Sequence, residues 1–176
     1  EHPVDLLVMA TGFKPTEYIS SIRVRGRNGH TLQDFWQGEP MAFAGVTVPG
    51  FPNFYMLYGP NTNGGEVVSN LERQSEYAAR SIKRLRGDVA SIEVRPAYFR
   101  NYNTWIQRGL AKTAWAKANN YYKTPSGKIV TQWPYGILVY AAVLRVFGRA
   151  SESVHKRQRA AAPAPRLQSV QPAKTH

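Results

Sequence analysis

The chain has 176 residues, enough for one domain with a tail. Hydrophobic residues make up 43%, with 4 Trp, 10 Tyr and 7 Phe, so disorder over the whole length is excluded. There is no cysteine, which rules out disulfides, thiolate nucleophiles and cysteine-based zinc sites and fits a reducing cytoplasm. The formal net charge is +12, but residues 145–176 hold seven basic residues against Glu152 alone, which is +6 of that excess. The remaining surface is ordinary, and the charge does not by itself indicate a nucleic-acid partner.

In chain order, residues 4–10 form a short, nearly unbroken apolar run closed by Thr11 and Gly12, the pattern of a buried parallel strand and a tight turn. Arg27, Asn28, Gly29 and His30 predict a hairpin turn between short strands near Val24 and Leu32. Residues 54–58 are a second buried-strand candidate, stopped by Gly59 and Pro60. A helix is expected from about Gly64, capped by Asn63 with Glu66 three residues on. Val67, Val68, Leu71, Ala78, Ala79, Ile82 and Leu85 form its apolar face, and Gly87 stops it. Residues 91–94 alternate as a strand. A helix follows Pro96 with Phe99, Tyr102, Ile106, Leu110 and Ala114 on one side, and Pro125 to Gly127 turn the chain. A third helix, 135–147, is apolar almost all round, so it is expected to be buried or to cover a partner surface. Its eight-residue apolar run, 137–144, is the longest in the chain and well short of the roughly 18–20 needed to span a bilayer. Residues 150–176 read as a flexible basic tail rich in Ala and Pro, leaving 1–149 as the folded part.

The feature with most chemical content is strand, then Gly59-Pro60-Asn61-Thr62-Asn63-Gly64-Gly65, then helix. A helix entrance offers unpaired N–H groups and about half a positive charge, and glycines let a ligand approach the backbone. The same pattern also serves a loop that merely turns a corner. No GxGxxG fingerprint, P-loop, HExxH or G-x-S-x-G elbow occurs, and the four histidines have no ligand spacing. No side chain is singled out as catalytic or metal-binding. The aromatics between Tyr98 and Tyr140 suit a layer over a core better than a base-stacking platform, since the interleaved lysines do not cluster.

Several segments in order resemble flavin-containing and Baeyer–Villiger monooxygenases. DLLVMATGF (residues 5–13) is similar to their D-hydrophobic-ATG-[FY] segment. Residues 32–36 with AGVTVPGFPNF (44–54) resemble L-x-x-x-W followed by Y-x-G-x-x-V-P-G-F-P-N-[LF]. YGPNTN (58–63) matches the motif that comes next. Asn120, Tyr121 and Tyr122, with Gly127 to Val130 and Trp133-Pro134, are similar to the C-terminal region of the hydroxyacetophenone monooxygenase branch. The resemblance implies an α/β fold, a partial FAD-binding Rossmann-type domain with a C-terminal helical extension. It implies a C-terminal portion of a cytoplasmic enzyme that binds FAD, takes hydride from NADPH and uses oxygen, through a C4a-peroxyflavin, on a ketone or heteroatom substrate. Thr11 and Gly12 would lie on the passage into the FAD domain, and Asn61, Thr62, Asn63 and Gly64 would face the isoalloxazine. A separate N-terminal portion would then supply the two absent dinucleotide fingerprints and most of the FAD affinity. The alternative is a non-catalytic remnant or binding module whose basic tail meets anionic partners. A partial parallel sheet with a few antiparallel strands is the expected frame.

Overall fold

The computed structural model describes residues 2–10, 12–117 and 120–157. A 3-10 turn at Arg27–Gly29 leads to helix α1 (Leu32–Trp36), then α2 (Val67–Lys83), strand β1 (Val89–Val94), α3 (Pro96–Leu110) and α4 (Ala114–Lys117). Helix α5 (Ile137–Ala142) runs on as a π-helical turn, Val143–Phe147, and β2 (Glu152–Lys156) follows.

Local chemistry accounts for most of these boundaries. The hairpin turn forms: the Gly26 N–H donates to His30 O at 2.9 Å and Leu32 N–H to Val24 O at 3.0 Å. Its second arm is a helix rather than a strand, because Thr31 and Asp34 make a reciprocal capping box, each side chain accepting the other's backbone N–H at 3.1 Å. Those bonds hold the Asp34 carboxyl below its ordinary range. Helix α3 opens on Pro96, whose missing N–H costs nothing there. It ends at Leu110, earlier than the apolar pattern suggests, where the Thr113 hydroxyl donates to Leu110 O at 2.6 Å.

Four sequence expectations need correction. Residues 4–10 form no strand: they are exposed, Leu6 by 79%, and no strand lies beside them among the described residues. A parallel strand needs neighbours on both sides to bury its apolar side chains and pair its backbone. For the same reason no parallel sheet is present among the described residues. The sheet of the described residues is the antiparallel pair β1–β2, with Ile92 opposite Val154 and Val94 opposite Glu152. Residues 54–58 form no strand either; Met56 N–H donates to Val46 O of a neighbouring loop, and Gly59 N–H, just beyond, donates to Gly45 O. Strand β2 falls inside the segment that composition assigns to the tail, so the fold extends at least to Arg157, whose N–H donates to Asp88 O at 2.6 Å.

Helix α2 is turned over relative to its apolar pattern. It buries Asn70, Gln74, Tyr77, Ala78 and Ser81, while Val67, Val68 and Ile82 face outward. The last helix is split in the same way. Tyr140, Val143 and Leu144 are buried, whereas Leu138 (82% exposed), Val146 and Phe147 are open.

The core has two parts joined by residues 42–48. Phe43, Ala44 and Val46 enter the larger cluster with Tyr77, Ile106, Leu110, Trp133 and Tyr140. Ala42 and Val48 enter the smaller one with Leu32, Trp36, Phe51 and Met56. The aromatics beyond Tyr98 pack on each other: Trp105 stacks on Tyr135 at 4.5 Å between ring centroids, and Trp133 meets Tyr140 edge-on at 5.1 Å.

The buried Glu152 carboxylate accepts from the Ser81 hydroxyl and from Arg84, and its carbonyl accepts from Arg95 Nε at 3.0 Å. A chain ending at Ala150 is therefore expected to be less stable than one ending at Arg157 by at least about 2 kcal/mol. Urea unfolding of the two chains measures this.

Candidate functional site

The site is built where three loops meet. Residues 44–46 turn tightly, with Ala44 and Gly45 at φ +50° and +67°, and lie backbone to backbone against residues 59–62. A Cβ on Gly45 would stand 2.1 Å from Thr62 Cγ2, and one on Gly59 would stand 2.3 Å from Gly45 O, so glycine is required at both.

The third loop of this junction is 129–133, which sequence reasoning did not connect to loop 59–65. Asn61 N–H donates to Val130 O (2.8 Å), Asn63 N–H to Thr131 O (2.9 Å), and Trp133 N–H to Asn63 O (2.5 Å). The Asn61 side-chain amide donates to Ile129 O and Gln132 O, both at 3.0 Å. The Thr62 hydroxyl donates to Gly59 O (2.7 Å), and Thr62 O accepts from Asn70 Nδ2 (3.1 Å). Asn61 and Thr62 are thus buried, and their side chains are bonded within the chain. Asn63 is half-buried, and its Oδ1 accepts from the Tyr58 hydroxyl at 2.9 Å instead of capping α2. With Gly64 and Gly65 at φ +131° and +99°, the helix begins only at Val67.

The loop has an inner and an outer side. Asn61 and Asn63 turn their amides inward. The backbone N–H groups of Thr62, Gly64 and Gly65 have no acceptor among the described residues. Asn70 Oδ1, buried nearby, also has no donor. Gly65 has no atom within 4 Å of where a Cβ would stand, whereas one on Gly64 would meet Trp133 O at 2.9 Å. The entrance of α2 therefore presents free donors, the positive end of a 17-residue helix and the exposed apolar side chains of Val67 and Val68. Thr11 lies outside the described residues. Gly12 takes φ +77° in open space, and no bond ties it to residues 61–64.

A buried relay fixes this junction to the helices. Gln74, fully buried, accepts from Tyr58 N–H at 2.7 Å and donates to the Tyr140 hydroxyl at 2.5 Å, which donates to Ala44 O at 2.6 Å. Burial pushes the Tyr58 and Tyr140 phenols up, so both remain protonated donors. Among the described residues no three His, Asp or Glu side chains stand close enough to hold a metal ion, and no helix is long and apolar enough to cross a membrane.

Comparison with known proteins gives this geometry its context. No family model matches the chain. The FAD-binding monooxygenase ktnD of Aspergillus niger is 40% identical over 149 residues, covering 80% of this chain and 24% of that protein. A Baeyer–Villiger monooxygenase of Pseudomonas aeruginosa is 35% identical over 153 residues, covering 84% of this chain and 29% of its own length. A crystal structure of a cyclohexanone monooxygenase variant from Rhodococcus sp. Phi1 bound to NADP+ superposes with a TM-score of 0.73 at 26% identity, covering 89% of this chain and 30% of that one. This chain is a relative of one portion of the Baeyer–Villiger monooxygenases. It spans about a quarter of the length of the first curated relatives it matches. The mixed helix and strand architecture corresponds to part of their FAD- and NADP-binding fold. The outward-facing apolar residues of α2, of the last helix and of residues 4–10 are exposed apolar surface.

Two outcomes test the junction. Replacing Gln74 by Leu strands the Tyr58 N–H and one bond of Tyr140, and is expected to cost about 2–4 kcal/mol in urea unfolding. Tyr77, Tyr102 and Tyr140 are all raised above the ordinary phenol value by burial. Stability supplied by their neutral forms is complete below about pH 10 and declines above it. Circular dichroism melts between pH 8 and about pH 11.5 check this, with the loss confined to the alkaline side.

Proposed function

We propose that the chain is the flavin-seating C-terminal portion of an FAD- and NADPH-dependent monooxygenase. The assembled cytoplasmic enzyme would use oxygen to insert an atom beside a ketone carbonyl or to oxygenate a soft heteroatom. The single observation behind this reading is the outer side of loop 59–65: unpartnered amide donors at Gly64 and Gly65 beside apolar Val67 and Val68, on the positive end of α2. That set of groups fits the electron-rich edge of a flavin ring.

FAD, when bound, supplies hydride acceptance and oxygen activation. The chain's own residues do the rest. The Gly64 and Gly65 amides donate to the pyrimidine carbonyl edge, and the α2 dipole favours negative charge there. Val67 and Val68 exclude water from that edge. Asn61, Thr62 and Asn63 serve the site from behind: their bonds to Gly59 and to residues 129–133 hold the loop in the shape that exposes the two glycine amides. Thr11 and Gly12 belong to the passage that leads the chain into this portion. No side chain here works as an acid or base. With no dinucleotide fingerprint in the sequence, grip on the pyrophosphate falls to a separate N-terminal portion.

A chimera tests the proposal. Residues 3–157 replacing the matching portion of a cyclohexanone monooxygenase are expected to give a yellow protein that consumes NADPH with ketone present, while the chain alone with FAD stays colourless after gel filtration. In the chimera, Val68→Glu sets a carboxylate at the exposed helix entrance without disturbing the core. It is expected to slow flavin reduction about tenfold, ~1.4 kcal/mol in the barrier. Unchanged reduction kinetics in that variant would remove the α2 entrance from the ring site.

A further inference from the structure

We propose that the cleft between α2 and the segment following α5 is a phosphate-binding site, distinct from the α2 entrance at the other end of the same helix. The cleft has a volume of about 380 Å³ and is walled by Arg80 and Arg84 of α2 on one side and Arg145 and Arg149 on the other, with Tyr77 and Glu152 at its base. Arg80 and Arg84 lie one turn apart at the end of α2 and its C-cap, while Arg145 stands in the π-helical turn and Arg149 in the turn that follows it. Arg84 is held by the buried Glu152, and Arg80 lies 3.7 Å from Glu76. Arg145 and Arg149 have no carboxylate partner among the described residues. An adjoining groove of about 250 Å³ shares Arg80 and Arg145 and adds Arg73 and Glu76.

Five guanidinium groups therefore surround two carboxylates, Glu76 and Glu152. Residues 158–176 contribute no acidic side chain to the balance. Like charges gathered around a concave surface repel one another, and an anion seated among them relieves that repulsion. Guanidinium is the group whose planar fork matches a phosphate oxygen pair, and two unpaired forks facing a third held in place by a buried acid suit a dianion. Glu152 acts here as a positioning residue: through its bond to Arg84 it fixes one wall of the cleft while Ser81 anchors it from beneath. The volume admits a phosphate with a small organic group attached. The same chemistry serves a free phosphorylated metabolite or the headgroup of a phospholipid, and exposed Val146 and Phe147 lie next in sequence to Arg145.

Isothermal titration of the full chain with pyrophosphate tests the site. Saturable binding is expected, weakened at least tenfold in the double variant Arg145→Gln, Arg149→Gln. A control that removes the same charge from α3, Arg100→Gln with Arg108→Gln, is expected to stay within twofold. Flotation with vesicles of phosphatidic acid in phosphatidylcholine identifies the source. Flotation that the Arg145/Arg149 variant abolishes assigns the headgroup, and pyrophosphate binding without flotation assigns a free phosphate. Equal weakening in the two double variants would reduce the effect to the chain's overall charge and overturn the proposal. So would the absence of saturable pyrophosphate binding at low salt.

Discussion

The fully buried Gln74 carboxamide is the constraint on which the arrangement of loops and helices depends. It accepts the backbone N–H of Tyr58 and donates to the Tyr140 hydroxyl, which in turn holds the carbonyl of Ala44. Four segments with few bonds to one another are joined through one side chain in a medium where an unpaired polar group is costly. Tyr58 itself sits at φ +57°, a conformation that a bulky residue adopts only when its surroundings enforce it. The bond from its N–H to Gln74 and the bond from its hydroxyl to Asn63 are what enforce it.

From that anchor the loop acquires two sides. The N–H groups of Asn61 and Asn63 are spent on residues 130 and 131, and those of Thr62 and Gly64 find no acceptor among the described residues. The glycines at 64 and 65 then delay the helix, leaving donors that a prompt start would have satisfied. The motif residues with the most hydrogen bonds are in this sense scaffold, and the residues with none are the ones open to a ligand.

Much of this was legible in the sequence where short-range rules decide. The 27–30 turn, strand β1 and the start of helix α3 follow from turn chemistry, alternation and proline placement, whereas α2 ends at Lys83, four residues before Gly87. What failed did so through missing neighbours or long-range polar bonds. Residues 4–10 carry a strand's composition, but composition cannot pair a backbone with strands that are not beside it. The apolar stripe of α2 misled because the helix buries Asn70, Gln74 and Ser81, each hydrogen-bonded to a partner that no local pattern reveals. β2 was hidden for a related reason: its polar composition is matched by Ser81, Arg84 and Arg95, residues 57 to 71 positions away. The motif YGPNTN drew attention to this loop, while the partnership of Asn61 with 129–132 had no signal in spacing.

The close approach of Gly45 to residues 59–62, where main chain meets main chain, leaves no side chain free to absorb a mismatch. Segments 44–46, 58–64 and 129–133 must therefore be inherited together. A crossover between homologous genes that falls between any two of them would bring together backbones that had not co-evolved. Breakpoints in natural or laboratory recombinants should instead collect in stretches such as 12–23, where exchange leaves this three-way seam whole.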